Sequence, residues 1–412
     1  MSVWDELVGQ DAAVRVLREA AAAARRIVDG PGASGMGLGS PESSGSLRGA
    51  GAAGPARAMT HAWLITGPPG SGRSVAALAF AAALQCTGEA PGCGRCPGCR
   101  TTMARTNADV LVVSTEATTI RIDEARAFVQ RAQVAPSAGR WRVMIVEDAD
   151  RMLERTSNVL LKAIEEPPER TVWLLCAPSP EDMITTIRSR CRHLGLRIPS
   201  ARAVADLLVR RDGVEPQVAL ESARAAQSHI GLARALARDP ELREQRRRIV
   251  RAPAEVRSVG EAALAAQDLV DMAKAQAEAR TTERNARERA ALLRQLGMTD
   301  GDRSTPQSRG AVHQLEEDQK RRSKRAMVDA LDRALLDLLA LYRDVLLVQL
   351  GTGQALVNED LSDLVSDIAA DSTPEQTMER VEAIEEARHR LVANVQPLLA
   401  MEAMTIALRP QA

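Results

Sequence analysis

Gly67-Pro-Pro-Gly-Ser-Gly-Arg-Ser74 lies between an apolar run at residues 62–66 and an alanine-rich run at residues 75–84. The first run predicts a buried strand and the second a helix, so the glycine loop leads into a helix N-terminus. Such a loop holds phosphate, because its backbone N–H groups point inward and the helix dipole favours an anion. We therefore predict a nucleotide site lined by Gly67, Gly70, Gly72, Arg73 and Ser74.

The loop departs from the phosphate-binding pattern at one position. The pattern places a lysine directly before Ser74, where this chain has Arg73. A lysine reaches the terminal phosphates as a compact point charge, whereas a guanidinium is planar and wider. We expect ATP binding to be weak or absent, and hydrolysis to suffer more than binding.

A second apolar run, at residues 143–146, ends in the acidic pair Glu147 and Asp148. A nucleotide hydrolase of this type carries Asp and then Glu here, the first to hold magnesium and the second to orient the attacking water. The reversed order displaces both carboxylates, and displacements of about 1 Å can cost on the order of a hundredfold in rate. We interpret the pair as part of a degenerate nucleotide site; the alternative is two solvated residues at a strand end.

Four cysteines fall within fourteen residues, and the last three of them are separated by two residues each. Two-residue spacing lets thiolates converge on one ion, and a set of four leaves no position for water, as in structural zinc sites. An iron–sulfur cluster and disulfides are the alternatives, but the fourth cysteine lies upstream of the other three and nothing marks secretion. The predicted zinc ligands are Cys86, Cys93, Cys96 and Cys99.

Short apolar runs alternate with helical patterns as far as residue 196, which predicts a parallel sheet covered by helices on both faces. Residues 29–58 are rich in Gly, Ser, Ala and Pro, and we expect a flexible insertion there. The pattern after residue 196 is wholly helical. Within it, residues 327–350 predict an amphipathic helix with Leu335 and Leu339 on an apolar face and Asp337 and Asp344 on a polar face.

Three further motifs complete the pattern: Val8-Gly-Gln10, Leu160-Leu-Lys-Ala-Ile-Glu-Glu-Pro-Pro168 and Thr186-Ile-Arg-Ser-Arg-Cys191. Together with the degenerate loop, they closely resemble the bacterial clamp-loader delta-prime family of the DNA polymerase III holoenzyme, within the AAA+ superfamily. The resemblance is strong over about residues 1–245 and weak beyond. It implies an AAA+ α/β domain at residues 1–196 with a zinc module at 86–103, a helical lid at 197–250, and an all-α collar or oligomerisation domain at 251–412.

The resemblance also implies a mechanism. Members of this family do not turn over ATP effectively and supply an arginine to the ATP site of the adjacent motor subunit. Arg190 is the matching residue, and we expect Ser189 and Cys191 to be a small buried pair that aims it. Arg234 matches a nucleotide-sensing arginine of the lid. The alternatives are a surface salt bridge for Arg190 and an ordinary exposed helix arginine for Arg234.

The implied partners are the motor subunits and the delta subunit of the clamp loader, with the sliding clamp and primer-template DNA contacted through the complex. The competing function is an ATPase in its own right. Lysine plus arginine equals aspartate plus glutamate at 54 each, and aromatic residues make up 2% of the 412 residues. This composition excludes a global electrostatic attraction to nucleic acid and a stacking platform for single strands. We expect no membrane segment and a cytoplasmic location.

Overall fold

The computed structural model describes residues 2–30, 58–113, 119–298, 306–393 and 395–409. The chain divides into two compact units, Met1–Arg234 and Ala235–Ala412. The insertion predicted at residues 29–58 falls mainly on 31–57, which lie outside the described residues.

A parallel sheet of five strands forms the centre of the first unit. The strands are β1 (Ala62–Thr66), β2 (Val110–Val113), β3 (Arg142–Val146), β4 (Thr171–Ala177) and β5 (Arg192–Gly195). They follow the order β2-β3-β4-β1-β5, and every pairing is parallel. All residues of β1, β3 and β4 are buried, as expected for central strands covered on both faces.

Helices cover both faces of this sheet. The helices that begin in the first unit are α1 (Asp11–Asp29), α2 (Arg73–Leu84), α3 (Pro97–Met103), α4 (Ile122–Ala132), α5 (Glu154–Glu165), α6 (Thr185–Arg188), α7 (Ala201–Asp212), α8 (Pro216–Ala225) and α9 (Ile230–Arg238), and the sheet packs against the first six of these. Successive strand residues point to opposite faces, so Trp63 and Ile65 pack with α1 and α2, whereas Leu64 packs with α4 and α5. The predicted α/β parallel-sheet fold is confirmed.

The second unit is helical throughout its described residues. Its helices are α10 (Pro240–Glu255), α11 (Val259–Gln295), α12 (Pro306–Gln349), α13 (Ser362–Ala370), α14 (Pro374–Val392) and α15 (Pro397–Ala407). Leu331, Leu335, Ile384 and Met401 form the centre of its core. None of the described helices is both long enough and apolar enough to cross a membrane.

The polar face predicted for residues 327–350 is wrong at two aspartates. Asp344 is fully buried, and its carboxylate accepts hydrogen bonds from the N–H groups of Val357 and Asn358, at 3.0 and 2.8 Å. Asp337 is also buried and pairs with Arg246 at 3.1 Å. Both acids lie inside because partners from α10 and from the segment after α12 satisfy their oxygen atoms.

Candidate nucleotide site and metal centre

The glycine loop lies between β1 and α2, at the carboxyl end of the sheet, where ligands bind in open parallel folds. Gly72 precedes the first residue of α2 with a left-handed φ of 88°, a conformation that strains other residues. A Cβ on Gly67 would lie 2.5 Å from the Oγ of Ser71 and 2.9 Å from the carbonyl oxygen of Leu196. The turn is therefore tight at Gly67 and left-handed at Gly72, as a phosphate cradle requires.

Arg73 points back to the loop that precedes it. Its Nη1 donates a hydrogen bond to the carbonyl oxygen of Gly67 at 2.9 Å. Ser74 follows on the first turn of α2 and is partly exposed. The guanidinium is thus held by its own loop, and a phosphate that used Arg73 would compete with the Gly67 carbonyl.

Glu147 and Asp148 follow β3 at the same edge of the sheet. The carboxylate of Glu147 pairs with Nη2 of Arg105 at 2.7 Å, and its side chain is 15% exposed. Asp148 lies 3.9 Å from the guanidinium of Arg151. Arg105 is a functional candidate that sequence reasoning missed, because no motif connects it with a residue 42 positions away.

Burial raises the pKa of Asp150, the next acid along the chain, and the charge of Asp148 raises it further. Arg151 and Arg73 act in the opposite direction. The loop arginine and the acidic segment therefore interact electrostatically across the carboxyl end of the sheet.

Gln10 connects the N-terminal segment with the loop. Its Nε2 donates to the carbonyl oxygen of Ser71 at 3.2 Å and to that of Arg197 at 2.5 Å. Its Oε1 accepts from the N–H of Arg197 at 3.1 Å. The Val8-Gly-Gln10 motif thus has a structural role, since one buried amide joins the loop to the chain after β5.

The turn between α8 and α9 lies directly against the loop. A Cβ on Gly70 would lie 2.8 Å from the Cα of His229. Arg234 follows on α9 and pairs with Asp212 at 2.9 Å, while Arg211 pairs with the same carboxylate at 3.1 Å. Arg234 is thus bound within the helical segment α7–α9, in the same unit as the nucleotide loop.

Arg190 lies just after α6, with a side chain that is 39% exposed. Its Nε pairs with Glu165 of α5 at 2.5 Å, and its Nη1 donates to the carbonyl oxygen of Thr186 at 2.9 Å. Ser189 is exposed, because its hydroxyl turns outward to the Thr186 carbonyl at the end of the short helix. The expected buried pair is therefore wrong for Ser189, and the ion pair with Glu165 is what orients the guanidinium.

The four cysteines of the predicted metal site come together. All four sulfur atoms lie within 4.8 Å of one another, and the sulfurs of Cys86 and Cys96 are 3.8 Å apart. A Cβ on Gly88 would lie 2.7 Å from the sulfur of Cys93, so the loop closes tightly over this cluster. The four thiols could hold one metal ion.

Backbone N–H groups support negative charge at this cluster. The N–H of Cys96 lies 3.4 Å from the sulfur of Cys93, and the N–H of Cys99 lies 3.4 Å from the sulfur of Cys96. Burial alone would raise the pKa of Cys96, but the N–H groups of Cys99 and Thr87 outweigh it and lower that pKa to about 6. The pKa of Cys99 is raised by burial. A bound cation would favour the thiolate form of all four.

A five-stranded parallel sheet with a glycine loop after β1 and helices on both faces, followed by helical segments, defines the class: an α/β parallel-sheet protein with a loop of the phosphate-binding type. Residues 54–200 match the family described as "DNA polymerase III, delta subunit". The resemblance to the delta-prime subunit of DNA polymerase III is confirmed by this match and by the relatives that follow.

The delta-prime subunit of Pseudomonas aeruginosa is 34% identical over 194 residues, which are 46% of this chain and 59% of that protein. The delta-prime subunit of Bacillus subtilis is 25% identical over 352 residues, 85% of this chain and 91% of that protein. The gamma/tau subunit of Mycobacterium tuberculosis is 34% identical over 155 residues, 37% of this chain and 27% of that protein. The chain thus spans less than two thirds of the Pseudomonas and Mycobacterium relatives.

Among solved structures, a gamma-subunit-related protein of DNA polymerase III from Thermotoga maritima matches with a TM-score of 0.30 and 16% identity. This match covers 66% of the present chain and 94% of the Thermotoga protein.

Proposed function

We propose that this chain is a delta-prime-type stator of a DNA polymerase III clamp loader. It hydrolyses little or no ATP itself and supplies Arg190 to the ATP site of an adjacent motor subunit. In this proposal it assembles with motor subunits and the delta subunit in the cytoplasm, contacts the sliding clamp and primer-template DNA through the complex, and has no membrane partner. The delta-prime relatives support the assignment.

The observation that carries the proposal is the setting of Arg190. The arginine is partly exposed, and an intramolecular carboxylate holds its Nε side. Its Nη2 has no hydrogen-bond partner among the described residues. A guanidinium held in this way presents donors outward, and an arginine supplied in trans stabilises the charge on a transferring phosphoryl group by about 10³ to 10⁵ in rate.

The home pocket supports the second half of the proposal. Arg73 is engaged with the Gly67 carbonyl, and Glu147 is engaged with Arg105. Arg73 could bind a phosphate, and Glu147 a magnesium ion, only after these two contacts were broken. We therefore expect this chain alone to hydrolyse ATP slowly.

Replacement of Arg190 tests whether this arginine acts at the ATP site of a neighbouring subunit. In the complex reconstituted with motor and delta subunits, Arg190→Ala should abolish the hydrolysis at the neighbouring site that this arginine serves. Arg202→Ala, an exposed arginine on α7, is the matched control and should leave the rate unchanged. Hydrolysis at the parental rate in the Arg190→Ala complex would show that Arg190 does not act at the neighbouring ATP site.

The competing function is an active ATPase, which the intact turn at Gly67 and Gly72 favours. Purified chain incubated with magnesium and ATP separates the two functions. Turnover that disappears in Gly72→Val, where a branched side chain meets a φ of 88°, would establish the motor function. We expect negligible turnover in both proteins.

We also propose that Zn²⁺ occupies the cysteine cluster, with Cys86, Cys93, Cys96 and Cys99 as its ligands. Sulfur atoms about 2.3 Å from a tetrahedral zinc lie roughly 3.8 Å apart, a spacing that the Cys86 and Cys96 sulfurs have. The ion would be structural, because four thiolates leave no open position. Elemental analysis of protein purified without added metal should give close to one zinc per chain, whereas iron or no metal would refute the assignment.

A further inference from the structure

The second unit carries a long hairpin that the clamp-loader assignment does not use. Its arms are α11, about 55 Å long at 1.5 Å per residue, and α12. The arms are antiparallel, because Arg289 pairs with Glu316 while Glu288, one residue earlier, pairs with Arg322, further along α12. The apolar core of the unit reaches Ala273 on one arm and Met327 on the other.

Beyond these positions lies a segment that we call the charged arm, residues 280–298 and 308–325. None of its described apolar side chains is buried. Its two helices meet through a polar seam in which Nη1 of Arg322 donates to Asn285 at 2.8 Å and to Glu288 at 2.9 Å. Nε2 of Gln319 donates to the carbonyl oxygen of Asn285 at 3.0 Å. The seam holds the helices together without an apolar core.

The charged arm is strongly basic in a chain of zero net charge. It contains eleven Lys and Arg residues against five Asp and Glu residues, a net charge of +6. Arg280, Arg287 and Arg294 recur every seventh residue along α11, which brings them to one face about 10.5 Å apart. All three are exposed, and neither Arg280 nor Arg294 has an acidic partner among the described residues.

The composition of the charged arm indicates its partner. A row of regularly spaced positive charges matches the phosphates of a nucleic acid. The arm has no Phe, Trp or Tyr, the aromatic side chains on which single-stranded bases mainly stack and which anchor helices in a lipid surface. We infer that the charged arm binds the phosphate backbone of duplex DNA through Arg280, Arg287 and Arg294, without reading sequence.

The test uses the full chain and a fluorescein-labelled DNA duplex of arbitrary sequence. Fluorescence anisotropy measures the affinity at several salt concentrations between about 50 and 200 mM. Phosphate contacts weaken measurably over this range. The variant combines Arg280→Gln, Arg287→Gln and Arg294→Gln. The matched control combines Arg248→Gln, Arg251→Gln and Arg257→Gln, three exposed arginines of the same unit outside the charged arm. Circular dichroism checks that both fold.

We expect the parent chain to bind the duplex and the charged-arm variant to bind at least about tenfold more weakly at the lowest salt. Its plot of log affinity against log salt should be shallower by about 2 to 3, because each lost phosphate contact removes about 0.9 from the slope. Equal behaviour of the two triple variants, or no binding by the parent at low salt, overturns the inference. Neither result bears on Arg190, whose test measures ATP hydrolysis.

Discussion

Arg73 shows how a single side chain changes a phosphate loop. Its backbone occupies the first position of α2, as the lysine of such loops does, but its guanidinium donates to the Gly67 carbonyl at 2.9 Å. A shorter ammonium group on a flexible stem can follow a phosphate, whereas a planar fork cannot turn as freely. The loop backbone therefore has the conformation of a phosphate loop, and the guanidinium of Arg73 is hydrogen-bonded to that backbone.

Arg73→Lys should strengthen nucleotide binding. We expect roughly tenfold tighter binding of a fluorescent ATP analogue, since a charge-assisted hydrogen bond contributes about 1.5 kcal/mol or more. Titration followed by fluorescence measures this. Arg202→Lys is the control and should leave the affinity for the ATP analogue unchanged. If Arg73→Lys binds no more tightly than the parent, the arginine is not what weakens the site.

Asp109 is a buried acid that holds the segment before β3. Burial alone would raise its pKa, but the N–H groups of Ser137, Ala138 and Gly139 outweigh burial and hold the pKa below the usual range. Its Oδ1 also pairs with Arg142 at 3.1 Å. A group with a depressed folded-state pKa stabilises the fold above its unfolded pKa, and that stabilisation is lost as the pH falls through the folded value.

Asp109→Asn should therefore destabilise the protein at neutral pH, by about 3 kcal/mol, because one amide oxygen cannot replace a carboxylate that accepts several donors. The difference from the parent should be constant between about pH 5 and 8 and should shrink below about pH 4, where the Asp109 carboxylate of the unfolded parent becomes protonated before that of the folded parent. Urea unfolding at several pH values measures it. Asp123→Asn, at an exposed acid, is the control. An equal deficit at pH 3 and pH 7 would contradict this account.

At the scale of elements, the turn between α8 and α9 is packed against the nucleotide loop. Gln227 and Ser228 both have left-handed φ values, 47° and 64°, and the Cα of His229 would lie 2.8 Å from a Cβ on Gly70. Non-glycine residues in this conformation cost free energy, so surrounding contacts must maintain the turn. The turn between α8 and α9 therefore lies close enough to the phosphate loop that a side chain on Gly70 would meet both backbone and side-chain atoms of His229.

Two glycines allow this contact to be measured. Gly70 and Gly213 have φ values of 88° and 66°, so alanine at either position costs about 1–2 kcal/mol in backbone strain. A Cβ at Gly70 would also meet His229 at 2.8 Å, whereas a Cβ at Gly213 has nothing within 4 Å. We expect Gly70→Ala to lower the free energy of unfolding more than Gly213→Ala, as measured in urea. Equal losses would argue against close packing of the turn on the loop.

At the scale of the whole molecule, the chain has two compact units with different means of stabilisation. The first contains the cysteine cluster, which is joined to the N-terminus by a hydrogen bond from the indole N–H of Trp4 to the carbonyl oxygen of Pro91 at 3.1 Å. The second depends on apolar helix packing and on the buried acids Asp337 and Asp344. Treatments that act on one unit should leave the other unaffected.

Removal of the zinc that we propose for the cysteine cluster should therefore lower one thermal transition only. We expect a chelator to reduce the Tm of the first unit by at least about 5 °C, since structural metal ions contribute directly to folding and each kcal/mol shifts Tm by about 2–4 °C in units of this size. Scanning calorimetry resolves the transitions. Asp344→Asn is the converse variant and should lower the Tm of the second unit only. Equal shifts of both transitions on chelation would contradict independent units.

The amino-acid sequence by itself determined the features that depend on near neighbours. Strand β1, the glycine loop and α2 are contiguous, so their hydrophobic pattern and glycine positions specify them locally. The four cysteines could be grouped for the same reason, because they fall within fourteen residues. The parallel sheet followed from the alternation of short apolar runs with helical patterns.

Only the tertiary structure decided the contacts between distant segments. Arg105 meets Glu147, Glu165 holds Arg190, and His229 packs on Gly70, and no periodicity in the chain predicts these pairs. Asp344 appears polar and exposed in a helical pattern, yet it is buried because Asn358 reaches it across a turn. The physical reason is common to all of them: a polar or charged group takes its role from its partner, and folding selects the partner.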